Sequence, residues 1–360
     1  MVCFSPSSYH NILASDGGKF LVKNDGILSK NCNFAGEMEQ KMVSVVMATY
    51  NGEQYLREQI DSILNQTYPV YELIIQDDGS TDNTVAIVNE YANRNPVVKV
   101  FVNERNMGLN QNFKTAAMRA TGDYVAISDQ DDVWYSDKLE RQVAAIGDND
   151  VCSSAFHRNL MAGKLEVWNF PCNVERLLFF SYVCGHTMLC RRDFIQNPDN
   201  WQNYMWYDWS LSLHGSLGHG LVQLEEPMVW HRLHTGEVSQ IVDSQYSYIN
   251  NHSVLYPYLH GLKAYRRWLG DDNRRAIYAH LLQITADGRF PLVHRFCELL
   301  LKDDLLSILR LCLLCQKHRT KIYFDKPVSG LNGWLRGFFF PMIYSCSVAP
   351  YKFYKKQVTL

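Results

Sequence analysis

The sequence predicts an α/β fold: a doubly wound, mostly parallel sheet followed by a helical C-terminal region. Two observations carry that expectation. From residue 43 to 128, apolar strand-like runs alternate with helix-length amphipathic segments, the pattern of successive βαβ units. Acids then cluster directly after two of those runs, as Asp77-Asp78-Gly79-Ser80 after Glu72-Leu73-Ile74-Ile75 and as Asp129-Gln130-Asp131-Asp132 after Tyr124-Val125-Ala126-Ile127-Ser128. An open α/β sheet binds its ligands at the carboxyl ends of its strands, and carboxylates there suit a nucleotide diphosphate held through a divalent metal.

Each element has its own signal. Val43 to Met47 reads as a buried strand, and residues 53 to 65 follow with Tyr55, Leu56, Ile60, Ile63 and Leu64 at helical spacing. Leu73-Ile74-Ile75 is the second strand and 82 to 94 the second helix. Strand 97 to 102, helix 111 to 120 and strand 124 to 128 complete the series. Beyond about Asp150 the pattern loosens, with further strands expected at 153 to 158, 187 to 190 and 221 to 224. From about Tyr246 the chain reads as helices, including 274 to 284 and 293 to 318, with charges every few residues marking a wet face. The expected organisation is an extension over 1–40, in which turn signals at Gly17-Gly18 and Asn24-Asp25-Gly26 flank a short apolar run, a catalytic-type domain over 41–245, and a helical region over 246–360.

A formal net charge of −2 over 360 residues gives no support to nucleic acid as a partner. The ten cysteines are scattered without the density of a disulfide scaffold, which points to a reducing cytoplasmic setting. Cys312 and Cys315 have CxxC spacing, but they lie in a leucine-rich helical run without a second ligand pair and read as ordinary thiols. No apolar segment opens the chain as a signal would, and Gly337 to Tyr351 is broken by Pro341 and Pro350, short of the roughly 20 residues a spanning helix needs. Trp334 to Tyr344, beside Arg336, Lys352, Lys355 and Lys356, fits either a peripheral contact with the inner face of the plasma membrane or a C-terminal helix packed on the core.

The ordered stretches Val43 to Gly52, Glu72 to Thr84, Gly122 to Trp134, Gly185 to Leu189, Asp208-Trp209 and Trp230 to His234 together resemble the family 2 glycosyltransferases of GT-A fold. Within that family the chain looks most like bacterial rhamnosyltransferase-type members that build surface polysaccharides. The resemblance covers roughly residues 42 to 240. It implies an inverting transfer from a UDP-, dTDP- or GDP-sugar to a saccharide or lipid-linked saccharide acceptor, assisted by Mn²⁺ or Mg²⁺.

Roles follow residue by residue from that resemblance. The Asp-x-Asp motif falls on Asp129 and Asp131, with Asp131 as the metal ligand and Asp129 facing the ribose or the metal's water shell. Ala48, Thr49, Tyr50, Asn51, Glu53 and Asp78 would surround the nucleotide, Asp78 bonding to the base. Asp77 and Ser80 read instead as a turn leading into a helix cap. Asp208, among Tyr204, Trp206, Tyr207 and Trp209, matches the general base, and His234 a histidine that completes the metal shell or touches the diphosphate. His231 stands where relatives carry Tyr, and Thr235-Gly236-Glu237 departs from their usual run. Trp134 is a candidate acceptor platform and His186 a candidate neighbour of the donor sugar, each with a structural alternative. Two other classes compete. A sugar nucleotidyltransferase would show a Gly-rich basic loop after the first strand, which Ala48 to Glu53 lacks; a non-catalytic polysaccharide-binding or assembly protein would not need Asp131 and Asp208.

Overall fold

The alternation over residues 43 to 128 is realised as four parallel strands. They are β1 (Val43–Thr49), β2 (Val70–Asp77), β3 (Val98–Val102) and β4 (Tyr124–Ser128), linked by α1 (Leu56–Leu64), α2 (Thr84–Arg94) and α3 (Leu109–Arg119). The computed structural model describes residues 40–159, 165–180, 183–233, 256–323 and 328–347. The short apolar run expected in the N-terminal extension, His234 and the lysines at 352, 355 and 356 lie outside the described residues. β1 is buried along its whole length because both faces are covered. Val45 and Met47 face Leu56, Ile60 and Ile63, while Val46 and Ala48 face Phe113 and Ala116.

Beyond β4 the sheet is mixed, with both antiparallel and parallel pairings. After β5 (Val133–Trp134) and α4 (Lys138–Ile146) come β6 (Val151–Asn159), β7 (Leu165–Trp168) and α5 (Val174–Leu177). Then follow β8 (Leu189–Arg191), α6 (Arg192–Gln196), α7 (Tyr207–Leu217) and β9 (Leu221–His231). The strand order is β3-β2-β1-β4-β8-β6-β9-β5, with β7 paired on β6. β9 extends well past the expected 221 to 224. Its register shifts from Ser154 opposite Leu224 to Ala155 opposite Pro227, so Glu225 and Glu226 bulge outward and the strand runs through a proline that reads as a stop.

The C-terminal region is helical as expected: α8 (Tyr256–Leu269), α9 (Asp272–Ile284), α10 (Pro291–Leu300), α11 (Leu305–Lys317), α12 (Arg319–Ile322), α13 (Gly330–Phe338) and α14 (Phe340–Ser347). The helix expected over 293 to 318 is two helices. Asp304 breaks it by accepting a 2.9 Å bond from Ser307 N as the cap of α11. These helices share a core with the layer under the sheet. Phe179 meets Phe296, Phe340 and Tyr344 edge-on, and Arg176 donates to Ile322 O and Tyr323 O. Residues 41–360 accordingly form one compact unit. Phe340, Met342 and Tyr344 belong to that core, so the C-terminal aromatic run is in this part a packed helix; Trp334 remains 41% exposed. Cys312 and Cys315 are buried thiols, with Cys312 Sγ 4.0 Å from Met342 Sδ. Among the described residues no helix is long and apolar enough to cross a membrane.

Arg274, wholly buried, closes the helical region by donating to Leu269 O at 2.6 Å and to Leu300 O, carbonyls at the ends of α8 and α10. Arg274→Met keeps the stem and strips both bonds, so it should lower unfolding stability by on the order of 3 kcal/mol, read as a shifted urea midpoint. An unchanged midpoint would show that the two carbonyls need no such cap.

Candidate functional site

The loops at the carboxyl ends of β1, β2 and β4 are tied together by side chains. Thr49 Oγ1 donates to Asp77 Oδ2 at 2.8 Å, and Asp77 also accepts from Gly79 N, Ser80 N and Ser80 Oγ, the turn role expected of it. Asn51 sits in the left-handed region at φ 47°; its amide N donates to Ser80 Oγ and its Oδ1 accepts from Thr81 N. Glu53 accepts from both Asn83 N and Asn83 Nδ2. Gln130, between the two motif acids, exchanges two hydrogen bonds with the Tyr50 backbone, and a Cβ on Gly52 would fall 2.2 Å from its Oε1. A side chain at 52 would therefore push the Gln130 amide out of its bonds with Tyr50.

Asp78 is similarly occupied. It is 3% exposed and accepts from Asn103 Nδ2 (2.7 Å), Met107 N (2.7 Å) and Gly108 N (2.9 Å). A carboxylate offers about four acceptor directions, so these bonds leave roughly one for a base. Ala48 is buried in β1 and contributes packing, while Tyr50 is partly exposed at the strand's end.

At the end of β4 the acids separate. Asp129 keeps 34% of its side chain exposed and Asp131 is partly exposed, its carbonyl accepting from Arg232 Nε. Asp132 is completely buried. Its two oxygens stand 3.0 Å from His186 Nδ1 and 2.9 Å from His231 Nδ1, and His186 Nδ1 is also 3.3 Å from Asp129 Oδ2. His186 rides on a 3₁₀ turn (Gly185–Thr187), and Phe156 packs edge-on against both imidazoles. Burial pulls the His186 imidazolium down, but Asp132 and then Asp129 outweigh it and lift it to about 10. Burial likewise pushes Asp132 up, yet the two histidines hold its carboxyl well below the usual range.

Asp132, His186 and His231 each offer a ligand atom, all within 4.8 Å of one another, a set that matches a two-histidine, one-carboxylate metal seat. Those atoms are already directed at each other, however, and a metal could enter only after the imidazoles gave up their protons. Asp129 and Asp131 at the rim offer carboxylate oxygens, the donors that Mg²⁺ and Mn²⁺ favour. Next to them Arg232 lies 4.6 Å from the Tyr55 ring and 4.5 Å from that of Trp230, and pairs with Glu58.

Asp208 opens α7, where Oδ1 accepts from Trp209 N at 2.7 Å. Asn110 fixes the segment before it by accepting from Tyr207 N and donating to Met205 O. The Tyr207 ring closes on Gly185 so tightly that a Cβ there would lie 1.9 Å from its hydroxyl. Burial, then Asp208, push the Cys184 thiol up to about 12, with Asp129 and Asp132 adding and His231 opposing.

Two expected site residues are enclosed. Trp134 is 3% exposed, its ring capped by the buried Lys138 side chain at 3.9 Å, which leaves little of it to offer an acceptor. His186 is buried in the acidic cluster, paired with Asp132 and Asp129. Asp132 and Gln130, read in the sequence only as members of the acidic cluster, and His231, read only as a departure from the family's Tyr, complete the site; the β5–β9 pairing that sets Val133 opposite Trp230 brings residues 132 and 231 together.

Residues 44–207 match the model of the family described as Glycosyl transferase family 2. This part of the chain is a family 2 glycosyltransferase domain. An uncharacterized protein of Mycobacterium tuberculosis is 32% identical over 205 residues, 53% of this chain and 59% of that protein. The Escherichia coli protein named UDP-Glc:alpha-D-GlcNAc-diphosphoundecaprenol beta-1,3-glucosyltransferase WfgD is 34% identical over 132 residues, 37% of this chain and 49% of its own length. The chain thus spans about half the length of these relatives. The crystal structure of S. aureus TarS 1–349 aligns over 86% of this chain and 90% of that one, at 17% identity and a TM-score of 0.49.

The ion cluster of this glycosyltransferase domain has a pH signature. Because His186 is raised from 6.5 to about 10, its contribution to stability should be complete below pH 6.5 and lost as pH rises through about 10. Urea unfolding of the wild type and His186→Gln across that range tests the sign, and ¹⁵N chemical shifts should show an imidazolium at pH 8. A neutral ring at pH 8 would refute the ion-pair assignment.

Proposed function

We propose that the protein is an inverting glycosyltransferase that moves a sugar from a UDP-, dTDP- or GDP-sugar to a hydroxyl of a saccharide or lipid-linked saccharide in surface-polysaccharide synthesis. The observation that carries this reading is the match of residues 44–207 to the family 2 model, with the Asp129–Asp132 acids inside it at the carboxyl end of β4. The printed name of the E. coli relative, with a nucleotide sugar and a diphosphoundecaprenol-linked acceptor, supports the choice of both substrates.

The chemistry assigns each group a task. The acceptor oxygen bonds to the anomeric carbon as the bond from that carbon to the diphosphate oxygen breaks, its electron pair leaving with the diphosphate. Attack from the opposite face inverts the centre. The Asp208 carboxylate, partly exposed between Tyr207 and Trp209, takes the acceptor's proton. Tyr50 borders the base, and Asp78 contributes its remaining acceptor direction. Mn²⁺ or Mg²⁺, when bound, neutralises the growing charge on the diphosphate. Asp131 would hold it, joined by His234 if the family pattern applies, with Asp129 toward the ribose.

Two substitutions test these tasks separately. Asp131→Ala should abolish metal-dependent binding of UDP or dTDP in calorimetric titrations with Mn²⁺; wild-type affinity would remove Asp131 from the metal. Asp208→Asn should keep donor binding and cut turnover by about 10²-fold or more, as removal of a positioned base does. If binding and turnover fall together, Asp208 is structural.

A further inference from the structure

Charge is divided unevenly along this chain. Residues 1–255 carry 18 basic and 30 acidic side chains, whereas residues 256–360 carry 17 and 7. The near-neutral total conceals an acidic catalytic part and a strongly basic helical part. Sign asymmetry of this kind is a signature of association with a polyanionic surface.

Helix α11 supplies the apolar half of such a surface. Ser307, Ile308, Leu311, Cys312 and Cys315 face the core, while Leu305, Leu306, Leu309 and Leu313 point to solvent at 64, 55, 47 and 50% exposure. At about 100° per residue the four leucines share an arc of about 100°, and Lys317 and Arg310 follow along one edge of it. A shallow groove of about 320 Å³ runs beside this edge, bordered by Arg295, Leu299, Arg310, Leu313, Leu314 and Lys317. Arg295 is paired with Glu298, but among the described residues Arg310 and Lys317 form no ion pair. Four exposed leucines on one short helix face, flanked by unpaired cations, match the layout of an interfacial helix.

We propose that this face of α11 docks on an anionic lipid surface. The leucines enter the headgroup boundary, and Arg310 and Lys317 meet lipid phosphates from the flank. A second copy of this chain fits less well, since it would press together two regions of the same positive sign. The surface differs from the C-terminal aromatic run, where Phe340 and Tyr344 are core residues. Docking stands apart from the transfer chemistry, though a lipid-linked acceptor would be reached from such a position.

Flotation of the full chain with vesicles of phosphatidylglycerol and phosphatidylcholine, against phosphatidylcholine alone, tests it. The protein should float with the anionic vesicles and come off as salt is raised. Arg310→Gln with Lys317→Gln should weaken partitioning about 30-fold, from roughly 1 kcal/mol per basic group. Leu309→Gln with Leu313→Gln should weaken it by about tenfold or more. Calorimetric UDP binding reports separately on the nucleotide site and on folding, and should be unchanged in both pairs. Absence of flotation, or equal flotation by wild type and both folded pairs, overturns the proposal. So does a change in mass by sedimentation equilibrium in the leucine pair without loss of flotation, which would mark the face as a contact between copies.

Discussion

A carboxylate with no access to water organises the ligand end of this molecule. Asp132 could not remain ionised in that position without compensation, since an unpaired buried charge costs several kcal/mol. His186 and His231 supply it from two distant parts of the chain, the 3₁₀ turn before β8 and the last residue of β9. The pairing therefore fixes three segments against one another. Asp129 gains a positioned partner in His186, and Asp131, one residue from the anchored carboxylate, is held at the rim where it remains partly exposed. A rim acid held by an anchored neighbour loses little freedom when a cation arrives, which is how a rigid supporting shell sharpens a binding site.

The same economy governs the loops at the carboxyl ends of β1 and β2. Asn51 and Glu53, expected beside a nucleotide, commit their side chains to neighbouring backbone, as Asp77 and Gln130 do. Polar side chains at strand ends must satisfy loop N–H groups that no sheet ladder reaches. Such residues shape this end of the sheet chiefly by fixing the loops' backbone. Asp78, bonded to the loop before α3, would couple base recognition to the placement of that loop, because a base can take only the acceptor capacity that Asn103, Met107 and Gly108 leave.

Local patterns made the first four strands and their helices legible from sequence. Apolar runs such as Val43 to Met47 and the acids that follow Ile75 and Ser128 are set by residues close together in the chain. What sequence could not supply was register between distant strands. The pairing of Val133 with Trp230 decides that Asp132 meets His231, and nothing within either segment announces it. Trp134 left two readings open for a related reason: an aromatic after an acidic motif suggests a platform, but β5 pairs with β9 and the Trp134 ring is covered by Lys138. The break between α10 and α11 was readable, since Asp303-Asp304 before a leucine run is a helix-start signal, but the continuous apolar periodicity on either side masks it.

The helical region shows why burial, rather than composition, decides what an apolar segment does. The C-terminal aromatics are the more hydrophobic stretch, yet Phe340 and Tyr344 fill the space left beside Phe179 and present almost nothing to solvent. Leucines 305, 306, 309 and 313 belong to a helix whose core-facing positions are occupied by Ile308, Leu311 and Cys315, and among the described residues they keep 47 to 64% of their surface exposed. Their place beside Arg310 and Lys317, in the C-terminal part of the chain with the excess of positive charge, fits the proposed contact outside the fold.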